Sequence, residues 1–172
     1  MANRMHVSLN YGTNLPALIR AMEKTTGDVL ELGMGVFSTP YLHYQCLLSK
    51  RKLVSYDNDP SWIRNYAESD YAHYLYRKGL HEIKLIKNWD EAPIEKEHWG
   101  AVLVDHNPVE RRKVEIARLA NIADYVIIHD TESHMESETG YEAVYPLFKY
   151  RYNYRRQKPY TSVLSNFIEF YL

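Results

Sequence analysis

The chain has 172 residues, 45 % of them hydrophobic, with a formal net charge of -1 and a single cysteine. That length and apolar content fit one folded domain and exclude disorder as the resting state. Lone Cys46 rules out an intramolecular disulfide, and the near-neutral balance supplies no long-range field for nucleic acid or an anionic membrane.

Met1–Met22 contains no continuous apolar core of a secretory leader, and no apolar run nears the roughly 20 residues that cross a bilayer. A soluble, cytoplasmic protein without membrane association is expected, with residues 1–172 forming one domain. In chain order, short apolar runs alternate with amphipathic stretches. Thr13 or Asn14 is placed to cap a first helix through Ala17, Leu18, Ala21 and Met22, with Pro16 in its first turn. Asp28–Gly33 reads as a first buried strand, followed by a turn and a helix over about Thr39–Leu48 that buries Cys46. Lys52–Tyr56 is a second strand, closed by Asp57-Asn-Asp-Pro60, and a helix starts near Ser61. The tyrosine-rich stretch Tyr66–Tyr76 fits helix or irregular chain. Glu82–Ile86 alternates as a third strand, Gly100–Val104 is a buried fourth, and a helix over about Val109–Ala120 precedes a fifth strand, Tyr125–Ile128. An amphipathic turn at Tyr141–Leu147 leads to two strands, Lys149–Tyr154 and Thr161–Phe167, joined across Arg155–Pro159. The expected fold is α/β: a doubly wound, mostly parallel Rossmann-like sheet with a C-terminal antiparallel hairpin.

In such a sheet ligands bind beyond the carboxyl ends of the strands. After the first strand comes Glu31-Leu-Gly33-Met-Gly35-Val-Phe-Ser38-Thr39. Two glycines at this spacing let the backbone turn tightly and bring N–H groups toward a ligand at a helix start. A dinucleotide site prefers a third glycine where Ser38 stands, and acidic Glu31 suits an ammonium group better than a phosphate. After the second strand, Asp57, followed by Asn58, is placed to accept ribose hydroxyls, while Asp59 is free to cap the next helix. After the third strand, Asn88-Trp89-Asp90 offers an aromatic face and polar groups for an adenine, although Trp89 reads equally well as core.

Val29-Leu-Glu-Leu-Gly-Met-Gly35, Val54-Ser-Tyr-Asp57 and the acidic strand end at Asp105 resemble the successive cofactor motifs of class I S-adenosylmethionine-dependent methyltransferases. The resemblance runs from about Thr13 to Leu172. It implies S-adenosylmethionine as cofactor, with Glu31, Gly33, Gly35, Ser38 and Thr39 around its methionine half. It further implies Asp57 and Asn58 at the ribose, Asn88 and Trp89 at the adenine, and Asp105 close by. Val102-Leu-Val-Asp-His106 and Val126-Ile-Ile-His-Asp-Thr131 are also similar to two strand ends of the catechol O-methyltransferase family, where an Asp and an Asp-Asn pair hold magnesium. Matched by residue, Asp105 and Asp130 are kept as metal ligands and the Asn becomes Thr131. The position of that family's catalytic lysine falls on Pro108, which cannot act as a base.

The same neighbourhood has its own chemistry. Asp105, His106, His129, Asp130, Glu132 and His134 are expected to converge on one rim if the fourth and fifth strands are adjacent. Such a set can bind zinc, iron or manganese, or supply a histidine base for a hydroxyl, amine or thiol acceptor. Asp105, His106, His129 and Asp130 are the candidate catalytic residues. Arg111-Arg-Lys113 reads as a solvated helix face. The basic, tyrosine-rich run Lys149–Lys158 fits an edge pair or a homodimer contact better than a nucleic-acid surface. Asn107-Pro108 is only half of an Asn-Pro-Pro-aromatic signature, which argues against base N-methylation. With short candidate lids at Met1–Thr13 and Glu132–Gly140, the expected acceptor is a small molecule. Methylation of nucleic acid or protein, and a scaffold without catalysis, are the alternatives.

Overall fold

The computed structural model describes residues 8–67 and 79–172. Residues 1–7 of the first lid segment, and the tyrosine-rich stretch beyond residue 67 as far as Tyr76, lie outside the described residues.

Strands β1 (Val29–Leu32), β2 (Leu53–Asp57), β3 (His81–Leu85), β4 (Trp99–Val104) and β5 (Ala123–His129) are parallel. Strand β6 (Tyr150–Tyr154) and β7 (Thr161–Ser165) form the antiparallel hairpin, with β7 paired to β5. The order is β3-β2-β1-β4-β5-β7-β6, so the chain reverses direction of travel across the sheet between β1 and β4. That switch point opens a crevice at the strand ends, the position the sequence motifs require.

Central strands are buried on both faces, which explains their unbroken apolar runs. Alternation sends Leu30, Leu32, Val54, Val102, Val104, Val126 and Ile128 to one layer and Val29, Leu53, Ala101, Leu103, Tyr125 and Ile127 to the other. Helices α1 (Leu15–Lys24) and α2 (Ser38–Ser49) cover the second face through Leu18, Met22, Leu42 and Cys46. Helix α4 (Arg112–Leu119) covers the first through Ile116 and Leu119, and α3 (Pro60–Ala67) and the short α5 (Glu136–Thr139) complete the shell. Among the described residues no helix is long and apolar enough to cross a membrane.

Two local expectations change. The segment after β4 does not enter a helix at Val109. Pro108 is extended, Val109–Arg111 tightens into a 3-10 turn, and the α-helix starts only at Arg112. Neither Thr13 nor Asn14 caps α1 with its side chain. Thr13 Oγ1 lies 2.8 Å from His129 Nε2, and Asn14 Nδ2 donates to Asp105 at 3.4 Å. Asp59, by contrast, accepts from the Ser61 N–H at 2.8 Å and caps α3 as expected.

Candidate active site

The ends of β1, β2, β4 and β5 enclose a cleft of about 630 Å³, bordered by Gly33, Met34, Asp57, Trp62, Asp105 and Asp130 among others. The β1–α2 loop forms one wall. Gly33 turns with φ +93, and a Cβ there would lie 2.6 Å from the Asp105 carbonyl and the His106 Cα. The loop can therefore rest directly on the end of β4 only because residue 33 has no side chain.

The first three N–H groups of this loop are held within the protein. Gly33 N–H donates to Tyr56 O at 2.9 Å, Met34 N–H to Asp57 Oδ2 at 2.7 Å, and Gly35 N–H to Thr39 Oγ1 at 2.9 Å. The expectation that the glycines present N–H groups to a ligand is corrected. A phosphate would find these three donors already taken.

Glu31 also lies elsewhere than the motif suggests. Its side chain is fully buried beneath the loop, where Ser38 and Thr39 donate to one oxygen at 2.9 Å each and Ser55 to the other at 2.6 Å. Register places Ser55 opposite Glu31 on β2. Behind Ser55 the chain continues through His81 Nε2 (2.9 Å) to His43 Nδ1, which is 2.7 Å from His81 Nδ1. One proton per link fixes the tautomers when Ser55 donates to Glu31: His81 donates from Nε2 and accepts at Nδ1 from His43. Burial pushes the Glu31 carboxyl up to about 7 against the three hydroxyl donors. Burial lowers His43 to about 4 and, with His43 nearby, His81 to about 3. Ser38 and Thr39 are thus placed with Glu31, in the support under the cleft rather than on its wall.

Asp57 stands at the cleft, its second oxygen accepting from the Asp59 N–H at 2.8 Å. Burial raises its carboxyl, opposed by the Asp59 and Met34 N–H groups. Asn58 borders the cleft beside it. Asn88 is exposed and accepts from the Asp90 N–H, while Trp89 is buried, stacked on His106 at 3.8 Å and donating to Asn107 O. Of the two readings for Trp89, the core one describes its position. The aromatic face that does border the cleft belongs to Trp62 on α3, with Tyr11 edge-on at 6.5 Å.

At the opposite rim Asp105, His129 and Asp130 come together, each offering a ligand-type atom within 4.8 Å of the others. His106 does not join them. Its ring is fully buried against Trp89 and faces Glu115 on α4 at 3.3 Å. His134 is exposed on a 3-10 turn, and neither it nor Glu132 is part of the cluster. The residue the sequence did not reveal is Arg112. Expected on a solvated face, it is buried, with Nη2 3.2 Å from Asp105 and Nη1 2.9 Å from Asp130. A run of three cations gives no periodic sign that the middle one turns inward. Burial works against the Asp105 anion, but His129 and Arg112 hold its carboxyl below the usual range. The same charge holds His129 above its ordinary value despite burial, with Asp105 the main cause. Asp130 sits in the left-handed region at φ 58, backbone strain that fits its place in this cluster.

This donor set does not suit magnesium. Magnesium takes oxygen ligands in an octahedral shell, whereas one of three donors here is an imidazole and both carboxylates already share a guanidinium.

No family model matches the sequence, and no curated protein does. Solved structures do. The O-methyltransferase TomG from Streptomyces achromogenes, involved in tomaymycin synthesis and solved with S-adenosylmethionine, superposes with a TM-score of 0.66 at 15 % identity over 95 % of this chain and 82 % of its own. An RNA methyltransferase from Salinibacter ruber, solved with S-adenosyl-L-homocysteine, gives 0.55 at 14 % identity over 90 % and 93 %. An rRNA methylase from Streptococcus thermophilus gives 0.57 at 14 % identity over 89 % and 95 %. The chain therefore has the class I methyltransferase fold.

Proposed function

We propose that this protein is an S-adenosylmethionine-dependent methyltransferase acting on a small-molecule acceptor. The observation that carries the reading is the cleft's chemistry. The Gly33, Met34 and Gly35 N–H groups of its glycine loop are already taken, and its border sets Asp57, Asp59, Asp105 and Asp130 against Arg112. That environment favours a nucleoside carrying net positive charge over a nucleotide. A volume of about 630 Å³ admits such a ligand with an acceptor beside it.

When bound, the cofactor supplies a methyl group already activated on sulfur. The protein's part is to bind, orient and handle the acceptor's proton. Asp57 accepts the ribose hydroxyls from its backbone-fixed position, with Asn58 alongside. Because Glu31 is enclosed, the ammonium group falls to Asp105 at the end of β4. Asp130 presents its oxygen to the acceptor and takes up the proton. His129, with both ring nitrogens engaged by Thr13 and Asp105, holds Asp105 in place rather than serving as the base. The RNA enzymes among the structural neighbours raise a polynucleotide acceptor as the second reading. The acidic border disfavours it, since a phosphate backbone would approach like charge.

Calorimetric titration with S-adenosylmethionine and S-adenosylhomocysteine tests the proposal. Micromolar binding is expected, weakened about 100-fold by Asp57→Ala, the size expected from losing charged hydrogen bonds. A folded wild-type protein that binds neither compound would sink it. Tryptophan emission offers a second check. Trp89 and Trp99 are buried, so cofactor binding should change emission mainly from Trp62, and Trp62→Phe should remove the response while binding persists.

A further inference from the structure

The rim at the ends of β4 and β5 carries a positive charge of its own. Arg112 opens α4, and its guanidinium reaches back with Nε donating to His106 O at 2.6 Å, Nη2 facing Asp105 and Nη1 facing Asp130. The planar fork is thereby committed on all three nitrogens, a geometry that a flexible ammonium would not reproduce. Only 4 % of the residue is exposed, so the guanidinium is held at the cleft border by these three bonds with little contact to solvent.

Without that guanidinium the cluster would hold two carboxylates and an imidazole close enough to grip one ion. The catechol O-methyltransferase-like strand ends lead one to expect a divalent cation at this rim. Arg112 already pairs with both carboxylates and cancels half of their charge, and a dication would sit beside it as a like charge in a partly buried place.

We propose that Arg112 is the built-in cation of this rim, in the role that a divalent metal would otherwise fill. Substrate binding and methyl transfer here then need no metal, and removing Arg112 uncovers a divalent-cation site made by Asp105, His129 and Asp130. The catalytic half of this statement rests on the methyltransferase reading. The metal-binding half does not.

Manganese binding, followed by electron paramagnetic resonance and calorimetry on the full chain, decides it, with circular dichroism reporting the fold of each variant. The wild-type protein should show no saturable Mn2+ binding into the millimolar range. Arg112→Met should bind Mn2+ roughly tenfold tighter or better, as carboxylate and imidazole donors become available. Adding Asp130→Asn should abolish that gain, and Arg112→Lys, which keeps a positive charge, should not show it. Stoichiometric Mn2+ or Mg2+ binding to the wild type that Asp130→Asn removes would overturn the proposal. So would a folded Arg112→Met that binds no better than wild type. Should Arg112→Met fail to fold, the wild-type and Asp130→Asn titrations still decide, because silence in the wild type is required. S-adenosylmethionine binding, measured in chelator, is scored separately: its loss in all samples would refute the proposed function and leave the manganese result standing.

Discussion

Gly33→Ala is expected to destabilise the protein by upward of about 3 kcal/mol and to abolish cofactor binding in whatever folds. Two costs combine. Residue 33 has φ +93, a conformation L side chains rarely adopt, and the added Cβ would meet backbone atoms of Asp105 and His106 at 2.6 Å. Backbone cannot rotate away as a side chain does, so either the β1–α2 loop or the end of β4 must shift. Gly35→Ala is the control. Its Cβ would meet only Ser38 Oγ at 2.8 Å, which can turn aside by giving up its bond to Glu31, at about 1 kcal/mol. Urea denaturation of both variants beside wild type tests this. A Gly33→Ala protein with an unchanged midpoint would mean that the close approach does not exist in solution.

The second large effect is a pH dependence centred on Glu31. Its carboxyl is raised from 4.5 to about 7 in the folded state. Between those values the folded protein keeps the proton that the unfolded chain has lost, so this group's contribution to stability is complete below about 4.5 and is lost as pH rises through 7. The swing is about 3 kcal/mol. His43 and His81 act in the opposite sense. Lowered from 6.5 to about 4 and about 3, they contribute stability above 6.5 that is lost as pH falls. The opposed slopes partly cancel in the wild type, so the difference between variants is the informative quantity. Relative to wild type, Glu31→Gln should gain stability steadily from pH 4.5 to 7 and then level off. A constant difference across that range would show that Glu31 ionises normally.

The strands and their mostly parallel, doubly wound arrangement were legible because each central strand is a short apolar run ended by a turn residue and alternates with helices, whereas their order across the sheet was not read from the sequence. Gly33, Asp57 and Asp105 were legible for a related reason, since they end or directly follow strands and the fold sends strand ends to the crevice. Where each side chain points was less accessible. Glu31 is one residue inside its strand, and period-two alternation turns it toward α2, away from the cleft. His106 follows Asp105 immediately and for the same reason departs to the other side, onto Trp89. Arg112 was hidden by its neighbours, because Arg111 and Lys113 share its charge and nothing local marks which of the three is buried. Thr13 and Asn14 serve a part of the site that the local sequence conceals. Their residue types are those of a helix start, and local chemistry offers no hint that residues more than 90 positions along the chain compete for them.

That competition has a consequence for how the protein tolerates change. The segment leading into α1 is a buttress: Thr13 Oγ1 touches His129 and also donates to Pro159 O at 2.8 Å, so three distant parts of the chain meet at one hydroxyl. A graft replacing this segment with another well-formed helix start would leave all seven strands in place. It would nonetheless unbuckle His129 from above and let Asp105 drift, giving a protein that melts normally and orients its ligand poorly.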